Sequence, residues 1–369
     1  MSDRVQLGSL VKLSTESAKD PSAVGLTRSV GLDHIDSDDL RLRRWSDIGN
    51  GADFTRVFRA GDVLFGKRRS YQRKVALADF DGVCSGDILV VRTADPRLDG
   101  LYLAYLLASP LFIGHAISSS AGSLSPRIRP RDLERFEFDL PSLDEQHRVV
   151  EVMRAVDREI EASSSVLSLS IVAQSSLVTE RVAMAPTIAL EEVALLDIGR
   201  TPPRDNAVYW TTDLERPFCT IADLTPGETR PTREGVTELA ETTGKAKRFA
   251  AGTLLMSFKL TIGRISLAAV DLFPNEAIVA INPRPGVRKD YLELALASTA
   301  WEKLANSAVK GKTLNKKSLA RLPVPNLETA GQDDLLTAVA PLRAISTQAA
   351  ATCASLRSLR TSLLQELIG

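Results

Sequence analysis

A long stretch without glycine or proline limits the folds open to this chain more than any other feature. It runs from Asp144 to Arg181, and Pro141 and Ser142 stand just before it. Asp144 and Glu145 place negative charge in its first turn, where the helix dipole favours it. An apolar stripe recurs at three- and four-residue steps, at Met153, Val156, Ile160, Leu167 and Ile171. The pattern predicts one helix of about 38 residues, or roughly 57 Å at 1.5 Å per residue.

A second helix of the same kind is predicted towards the other end of the sequence. Its stripe starts after Gln332, and steps of three and four residues alternate throughout, which is the heptad pattern of a coiled coil. The stripe consists of Leu335, Ala338, Leu342, Ile345, Ala349, Thr352, Leu356, Leu359 and Leu363. Pro341 should bend this helix or mark a late start. Because a narrow stripe on a long helix needs a partner, we expect the two helices to pair.

Length and composition bound the class of protein. A chain of 369 residues should hold two or three domains. We find no apolar run that would span a bilayer and no signal peptide, so the cytoplasm is the expected compartment. Cys84, Cys219 and Cys353 are far apart, which predicts buried small side chains rather than disulfides or a metal site. The formal net charge is zero, which weakens non-specific coating of nucleic acid but allows binding through local basic patches.

The chain repeats itself once, with an offset of roughly 185 to 190 residues. The matching segments are Val5–Val11 with Ile188–Ala194, Phe58–Phe65 with Phe249–Met256, Leu101–Leu103 with Tyr291–Glu293, Ser123–Ser125 with Thr313–Asn315, Asp139–Leu143 with Pro323–Leu327, and Gln146 with Gln332. Each half is therefore predicted to be a globular part of mixed strands and helices followed by a long helix, which is an α+β fold.

The repeat also predicts how the parts are arranged. Two copies of one unit tend to pack with pseudo-twofold symmetry, so the two long helices should run antiparallel as a coiled coil. The predicted boundaries are 1–143 and 187–327 for the globular domains, 144–186 for the central helix and linker, and 328–369 for the second long helix. Such an arrangement suits a long ligand with approximate twofold symmetry, and duplex DNA is one.

Several motifs resemble the specificity subunit of type I restriction–modification systems. The clearest is Gly199-Arg200-Thr201-Pro202-Pro203-Arg204, followed by Tyr209-Trp210 and by Phe218–Leu224. The segments Leu254–Gly263, Asn275–Ile281, Gly311–Asn315 and the closing signal Leu140–Gln146 are similar to that family as well. The first half lacks the Gly-x-Thr-Pro and Tyr-Trp signals, as expected where two recognition domains read different half-sites.

The resemblance implies a DNA-recognition subunit without chemistry or a cofactor of its own. Residues 1–143 and 187–327 would be target-recognition domains that read the two halves of a bipartite DNA sequence. The helices would hold two adenine methyltransferase subunits, and a motor-nuclease subunit would join for restriction. The length of the helices would set the gap between the half-sites.

Two basic clusters are the candidate DNA contacts, because cations that reach phosphates position a protein on DNA. The first lies between Arg56 and Lys74, and the second between Lys310 and Arg321; basic residues near Arg127 stand at the place in the first half that corresponds to the second cluster. The candidate residues are Lys67, Arg68, Arg69, Tyr71, Gln72, Arg73, Arg127, Arg129, Arg200, Thr201, Arg204, Lys259, Lys310, Lys312, Lys316 and Lys317. Base edges could also be read by Arg68, Arg69, Gln72, Arg200, Arg204 and Lys259. The alternative for each cluster is an ordinary solvated face.

Enzymatic interpretations find little support in the sequence. Gly311-Lys312-Thr313 ends like a P-loop, but Asn306 stands where the first glycine is required. No Asn-Pro-Pro-aromatic or Asp-Pro-Pro-Tyr motif of an amino-methyltransferase occurs. The histidines have no cysteine or acidic partner at ligand spacing. The remaining alternative is a coiled-coil scaffold or adaptor in another phage-defence assembly.

Overall fold

The computed structural model describes residues 3–49, 54–122, 124–299, 301 and 315–369. The chain divides into two compact units. Unit 1 consists of Met1–Ser165 together with Ala349–Gly369, and unit 2 consists of Val166–Gln348. Both contain strands and helices, so the α+β class is confirmed. The division cuts across the predicted boundaries, because each long helix contributes residues to both units.

The strands are short, and most of the helices that connect them are short as well. The strands are β1 Asp3–Gln6, β2 Val11–Leu13, β3 Arg28–Val30, β4 Ser46–Asp47, β5 Arg56–Phe58, β6 Val63–Gly66, β7 Val75–Leu77, β8 Gly82–Cys84, β9 Ile88–Thr93, β10 Glu137–Leu140, β11 Thr187–Ala189, β12 Ala194–Ile198, β13 Trp210–Thr211, β14 Phe218–Cys219, β15 Glu228–Thr229, β16 Gly235–Val236, β17 Leu254–Ser257, β18 Ile265–Ala268, β19 Phe273–Pro274, β20 Ile278–Pro283 and β21 Pro323–Pro325. The helices are α1 Gly100–Ala108, α2 Pro110–Ser118, α3 Pro130–Glu134, α4 Leu143–Val182, α5 Leu190–Val193, α6 Glu238–Thr242, α7 Lys289–Ala297, α8 Lys316–Ala320 and α9 Thr329–Ile368.

The central four strands follow the same order in both units. In unit 1 the order is β2-β9-β6-β7, and in unit 2 it is β12-β20-β17-β18, with β15 added at the edge. The backbone N–H of Gly61 donates to Ala78 in one unit, and that of Gly252 donates to Ala268 in the other. The predicted match of Phe58–Phe65 with Phe249–Met256 therefore holds at the level of individual hydrogen bonds.

Two of the other predicted matches shift in register. Helices α1 and α7 begin at Gly100 and Lys289, so Tyr102, rather than Leu101, corresponds to Tyr291. The carbonyl of Pro141 has the same role as that of Leu327, two residues later than the sequence match suggested. Short segments with few distinctive residues do not fix a register to the residue, whereas hydrogen-bond partners do.

Each unit anchors one long helix to its globular part through a buried glutamine amide. The Gln146 side chain accepts a hydrogen bond from the Asp99 backbone (2.8 Å) and donates to the carbonyls of Arg97 (2.7 Å) and Pro141 (2.9 Å). Both glutamine side chains are at most 2% exposed. These contacts give a structural role to the glutamine that the two halves share.

The Gln332 amide in unit 2 repeats this arrangement. It accepts from the Arg288 backbone (2.8 Å) and donates to the carbonyls of Leu327 (2.8 Å) and Gly286 (3.3 Å). In both units the amide joins the first turns of a long helix to the N-terminus of α1 or α7. The predicted correspondence of Gln146 with Gln332 is thus matched contact for contact.

The first long helix, α4, begins and ends one residue outside the predicted range. The second, α9, runs through Pro341 without interruption, so the predicted late start is wrong. Within unit 1, Met153 packs in the same core as Leu364, and within unit 2, Val178 packs in the same core as Leu335. Within unit 1 the two helices run in opposite directions, because Asp157 contacts Arg360 and Ser164, further along α4, lies beside Cys353, which precedes Arg360.

The buried stripe of α9 differs from the predicted one at every second position. Leu335 and Ala349 are buried as predicted, but Ile345 and Leu359 are 46% exposed. At these alternate positions the residues that face inward are instead Val339, Ser346, Cys353 and Arg360. On α4, Ile171 is 54% exposed and Ser170 is buried in its place. The actual stripes are more polar than the predicted ones, because a hydrophobic pattern selects for apolar residues and misses buried polar ones.

A charged pair joins the long helices inside unit 1. The Arg360 side chain is 3% exposed, and its Nε lies 2.7 Å from Oδ1 of Asp157. The other Asp157 oxygen accepts a hydrogen bond from the Tyr105 hydroxyl on α1 (2.8 Å). About two turns further along α4, the Ser164 hydroxyl lies 3.5 Å from the Cys353 sulfur. Polar contacts of this kind specify how two helices line up.

The three cysteines are buried, as predicted, and free. Burial raises the pKa of the Cys84 and Cys219 thiols to about 12, which keeps them protonated and unreactive. The sequence analysis missed one feature of α4. By length and composition this helix could cross a membrane, and 11% of its most apolar 18-residue stretch is buried. A single such helix is weak support for a membrane span, since core helices of other proteins meet the same criterion.

We predict that Gln146→Ala and Gln332→Ala each destabilise the unit that they anchor. Each change leaves a buried backbone N–H and two carbonyls without partners, and an unsatisfied buried group costs about 1–3 kcal/mol. Thermal unfolding followed by circular dichroism should show a lower Tm for both variants. The exposed Gln365→Ala on α9 is the matched control, and an unchanged Tm for Gln146→Ala would contradict the anchoring role.

Candidate nucleic-acid interface

A basic hairpin tip in unit 1 gathers most of the candidates of the first cluster. It connects β6 to β7 and contains a short 3-10 turn, Ser70–Gln72, between two residues in the left-handed region, Arg69 at φ 55° and Arg73 at φ 52°. A non-glycine residue with positive φ is strained and is enriched at functional sites. Tyr71 is 53% exposed at this tip.

A second segment, around Arg127, packs directly against this hairpin tip. The Arg69 backbone donates to the carbonyl of Pro126 (2.8 Å), and the Ile128 backbone donates to that of Lys67 (3.0 Å). The Arg68 side chain donates to the Ser125 hydroxyl (2.6 Å). The structure thus brings together the two basic segments of the first half that the sequence placed far apart.

Acidic residues from elsewhere neutralise part of this surface. Asp87 lies between two arginines, 3.6 Å from Arg68 and 3.3 Å from Arg127. Arg73 is paired with Asp38 at 2.6 Å. Lys67 and Arg69 have no ion pair within the described ranges, so positive charge remains in excess at the tip.

Two further arginines of the first half form structural ion pairs. Arg129 lies 2.7 Å from Asp132 in the first turn of α3. Arg59, in the connection between β5 and β6, is paired with Glu16 and Asp81. The pKa of Asp81 is lowered mainly by the hydrogen bond from the Ala60 backbone and, next, by the hydrogen bond from the Arg59 side chain. Fewer basic residues of the first half therefore present unpaired charge to solvent than the sequence suggested.

Unit 2 has the corresponding hairpin tip between β17 and β18. Lys259 stands at the position of Arg68, and Leu260 at the position of Arg69. Leu260 is also in the left-handed region, at φ 62°, and it is 76% exposed. The same strained position thus occurs in both units with different side chains. Gly263 is fixed as glycine, because a Cβ there would lie 2.0 Å from the buried Trp301.

The Gly-x-Thr-Pro turn packs against the strand connection that faces this hairpin. A Cβ on Gly199 would lie 2.2 Å from the carbonyl oxygen of Pro274, so only glycine permits the approach. The Arg200 backbone donates to that same oxygen (2.9 Å). The close approach brings the Thr201 hydroxyl to the carboxylate of Glu276, to which it donates a hydrogen bond.

Trp210 of the Tyr-Trp motif holds the rest of this turn. Its ring N–H donates to the carbonyl of Pro203 (3.0 Å), and the guanidinium of Arg204 stacks 3.7 Å from its ring centre. Arg204 is also paired with Glu234 at 2.8 Å. Arg200 donates to the carbonyl of Gly244 (3.0 Å). Both arginines therefore stabilise the turn, whatever else they contact.

A cavity of about 450 Å³ opens where these segments of unit 2 meet. Its polar lining comes from Thr220, Lys259, Asn275 and Glu276, and its apolar lining includes Leu260. The hydrogen bond from Thr201 and, to a smaller extent, the charges of Lys259 and Arg204 lower the pKa of Glu276. Its carboxylate is therefore ionised at neutral pH and can only accept hydrogen bonds.

The second basic cluster is described only in part. Lys310 and Lys312 lie outside the described residues. Lys316 and Lys317 are exposed in the first turn of α8, whose N-cap Asn315 accepts from the Ser318 backbone (2.8 Å). Neither lysine has an ion pair within the described part of the chain. No group of three or more metal-ligating side chains occurs among the residues that the structure describes.

The carboxylates of Asp87 and Glu276 are the site residues that the sequence analysis missed. Each lies in the connection just before β9 or β20, next to the hairpin tip of its unit. The matching segments Ser85-Gly86-Asp87 and Asn275-Glu276-Ala277 carried a signal, since both place one acid beside a basic hairpin. Runs of basic residues alone do not reveal these acids.

Comparisons with known proteins agree with this architecture. A family model described as the type I restriction modification DNA specificity domain matches residues 39–166. The specificity subunit of the type I restriction enzyme EcoDI from Escherichia coli is 30% identical over 93 residues, which are 25% of this chain and 20% of that protein. The matched stretch thus spans a fifth of that relative.

Two solved structures are similar over nearly the whole chain. The S subunit of a type I restriction–modification system from M. genitalium has a TM-score of 0.54 and 16% identity, covering 100% of this chain and 96% of its own. A chain from a study of complex assembly and conformational transition in the type I R-M system has a TM-score of 0.52 and 22% identity, covering 99% and 97%.

The chain is thus similar to type I restriction–modification specificity subunits in sequence over residues 39–166 and in fold over nearly its whole length. We expected the clearest resemblance in the second half, at Gly199–Arg204, whereas the family model matches the first half and the start of α4. The likeness to the solved structures supports the fold of the whole chain.

We predict that Gly199→Ala destabilises unit 2 and separates Thr201 from Glu276. The added methyl group would meet backbone oxygens of Pro274 and Asn275, which cannot move away as a flexible side chain could. Overpacking of this kind costs about 1–3 kcal/mol, so the urea midpoint should fall. Gly331→Ala, whose Cβ would meet Leu327 at an ordinary 3.5 Å, is the control in the same unit. Equal midpoints for the two variants would contradict the close-approach argument.

Proposed function

We propose that this chain is the DNA-recognition subunit of a type I restriction–modification methyltransferase. The observation that carries the proposal is the repeated hairpin tip. Each unit presents a strained tip with a cation at the same position, Arg68 or Lys259, beside the connection that precedes β9 or β20. A protein that reads two half-sites needs two such surfaces with different side chains, and the tips differ at Arg69 and Leu260.

The target would be a bipartite sequence in double-stranded DNA. The two recognition domains would be related by pseudo-twofold symmetry and would read opposite strands. Phosphate contacts from the exposed lysines and arginines would supply affinity, and side chains at the hairpin tips would supply base readout. The long helices would act as the spacer that fixes the gap between the two half-sites.

The partners follow from the family. The long helices would hold two adenine methyltransferase subunits, and a motor-nuclease subunit would complete the restriction complex. The chemistry would belong to these partners, with the methyl donor and nucleotide bound there, so this chain would be non-catalytic. Their DNA substrate places the complex in the cytoplasm. Exposed apolar side chains on α4, among them Leu169 (69% exposed) and Val172 (61%), are consistent with a helix that partners cover.

A coiled-coil scaffold or adaptor in another phage-defence assembly is the second candidate. The same exposed apolar residues of α4 favour it to the extent that they indicate a binding partner of any kind. The two candidates differ in the identity of the partner. Co-purification with an adenine methyltransferase supports recognition, and assembly without one supports the scaffold.

The first experiment is to express the chain with its neighbouring methyltransferase and to sequence the DNA for N6-methyladenine. A bipartite motif with one methylated adenine in each half, on opposite strands, is the expected result. Exchange of residues 1–143 for those of a relative should then change one half of the motif only. An assembled complex that methylates no motif would contradict the proposal.

We predict that the double charge reversal Lys316→Glu/Lys317→Glu weakens binding to any duplex. Each phosphate contact contributes about 0.9 to the slope of log K against log salt, so the loss of two contacts should lower the slope by roughly 1.8. Fluorescence anisotropy with target and random duplexes at several salt concentrations measures both effects.

The control for this prediction makes the same change of charge elsewhere. Arg158→Glu/Arg357→Glu reverses two exposed arginines on the long helices. If both variants change the salt slope equally, the effect is one of overall charge. If the lysine variant leaves the slope unchanged, α8 does not contact DNA.

A further inference from the structure

The carboxylate of Glu276 is unusual for a surface that faces a polyanion. It lies exposed at the rim of the cavity in unit 2, next to Lys259 and the hairpin tip. A carboxylate repels phosphates, so its presence weakens contacts to the DNA backbone. It stabilises a complex only where the DNA offers a hydrogen-bond donor.

The surroundings hold this carboxylate in place without neutralising it. Thr201 donates to one of its oxygens, and the close approach of Gly199 to Pro274 fixes the position of Thr201. Within the described ranges Glu276 has no ion pair, although Lys259 lies beside it in the cavity lining. The exposed carboxylate can therefore still accept a hydrogen bond from a ligand.

The acid of the same connection in unit 1, which stands one position later in the repeat, shows the contrast. Asp87 lies between Arg68 and Arg127, and its charge is taken up by these two arginines. An acid that only organised the hairpin would be expected to have such partners in unit 2 as well. Glu276 instead has the neutral hydroxyl of Thr201 as the donor to one of its oxygens.

Base edges provide few donors that could meet such an acceptor. In the major groove these donors are the N4 amino group of cytosine and the N6 amino group of adenine, whereas guanine and thymine present acceptors at the corresponding positions. We propose that Glu276 reads the exocyclic amino group of one cytosine or adenine in the half-site bound by unit 2, and thereby excludes guanine and thymine there. This inference rests on the proposed function, since it assigns a role at the same interface.

The variants Glu276→Gln and Glu276→Ala test this assignment. An amide can contact N6 and N7 of adenine together but fits cytosine poorly, whereas alanine contacts neither. Once the wild-type motif is known from methylation sequencing, duplexes with each of the four bases at every position of the second half-site are compared by competition binding. The two variants then separate the two possible bases.

The expected result is a loss of discrimination at one position of the second half-site, by about tenfold or more, with the first half-site unchanged. If the base is cytosine, both variants lose discrimination. If it is adenine, Glu276→Gln retains it and only Glu276→Ala loses it. Methylation sequencing in cells should show the same single position relaxed.

A matched control separates readout from charge. Glu238→Gln removes the same charge from an exposed glutamate of unit 2. If Glu276→Gln and Glu276→Ala both raise affinity for all duplexes as Glu238→Gln does and leave the base preferences unchanged, readout by Glu276 is wrong. Loss of the whole second half-site with an unchanged Tm would assign Glu276 to positioning the loop and would likewise overturn direct readout. A wild-type complex without any motif would overturn the proposed function itself.

Discussion

The buried glutamine amide at the start of each long helix is the contact on which the rest of the architecture depends. A single side chain satisfies one backbone donor and two backbone acceptors, and these belong to the chain before the helix and to the N-terminus of the neighbouring short helix. Because the amide is rigid and fully buried, it fixes where the helix leaves the globular part. Because each unit has one such contact, both long helices begin in the same way relative to the globular part before them.

The hairpin tips show how one framework carries different chemistry. The backbone is in the left-handed region at the same position in both units, although one residue is an arginine and the other a leucine. The strain thus belongs to the framework rather than to a particular side chain. The acids next to the tips differ in a corresponding way, with one neutralised by two arginines and the other held by a hydroxyl group.

The sequence predicted the elements better than their contacts. The absence of glycine and proline defined α4 to within a residue, and the repeat located the equivalent strands and glutamines. Periodicity could not separate Ala338 from Val339 or Leu359 from Arg360, because adjacent residues fit a repeat of 3.5 nearly equally well and the pattern rewards apolar side chains. Only the packed structure shows that a charged residue takes part in the stripe.

The candidate site was predictable to a similar extent. Runs of basic residues indicated the hairpin of unit 1 and the segment around Arg127, which the structure brings into contact. The acids that pair with them, Asp38 and Asp87, come from separate parts of the sequence, and nothing local announces them. The structural role of the Gly-x-Thr-Pro motif could not be predicted either, because it depends on the close approach of Gly199 to the 274–276 turn.

The buried pair of Asp157 and Arg360 has a consequence for how such chains can be recombined. If one helix slid along the other by a heptad, Asp157 would face Cys353 rather than Arg360, and two charges would lose their partner away from water. Apolar seams tolerate such slippage far better. A hybrid that takes α4 from this chain and α9 from a similar chain would therefore be restricted by this charged contact, so the two helices should be inherited together.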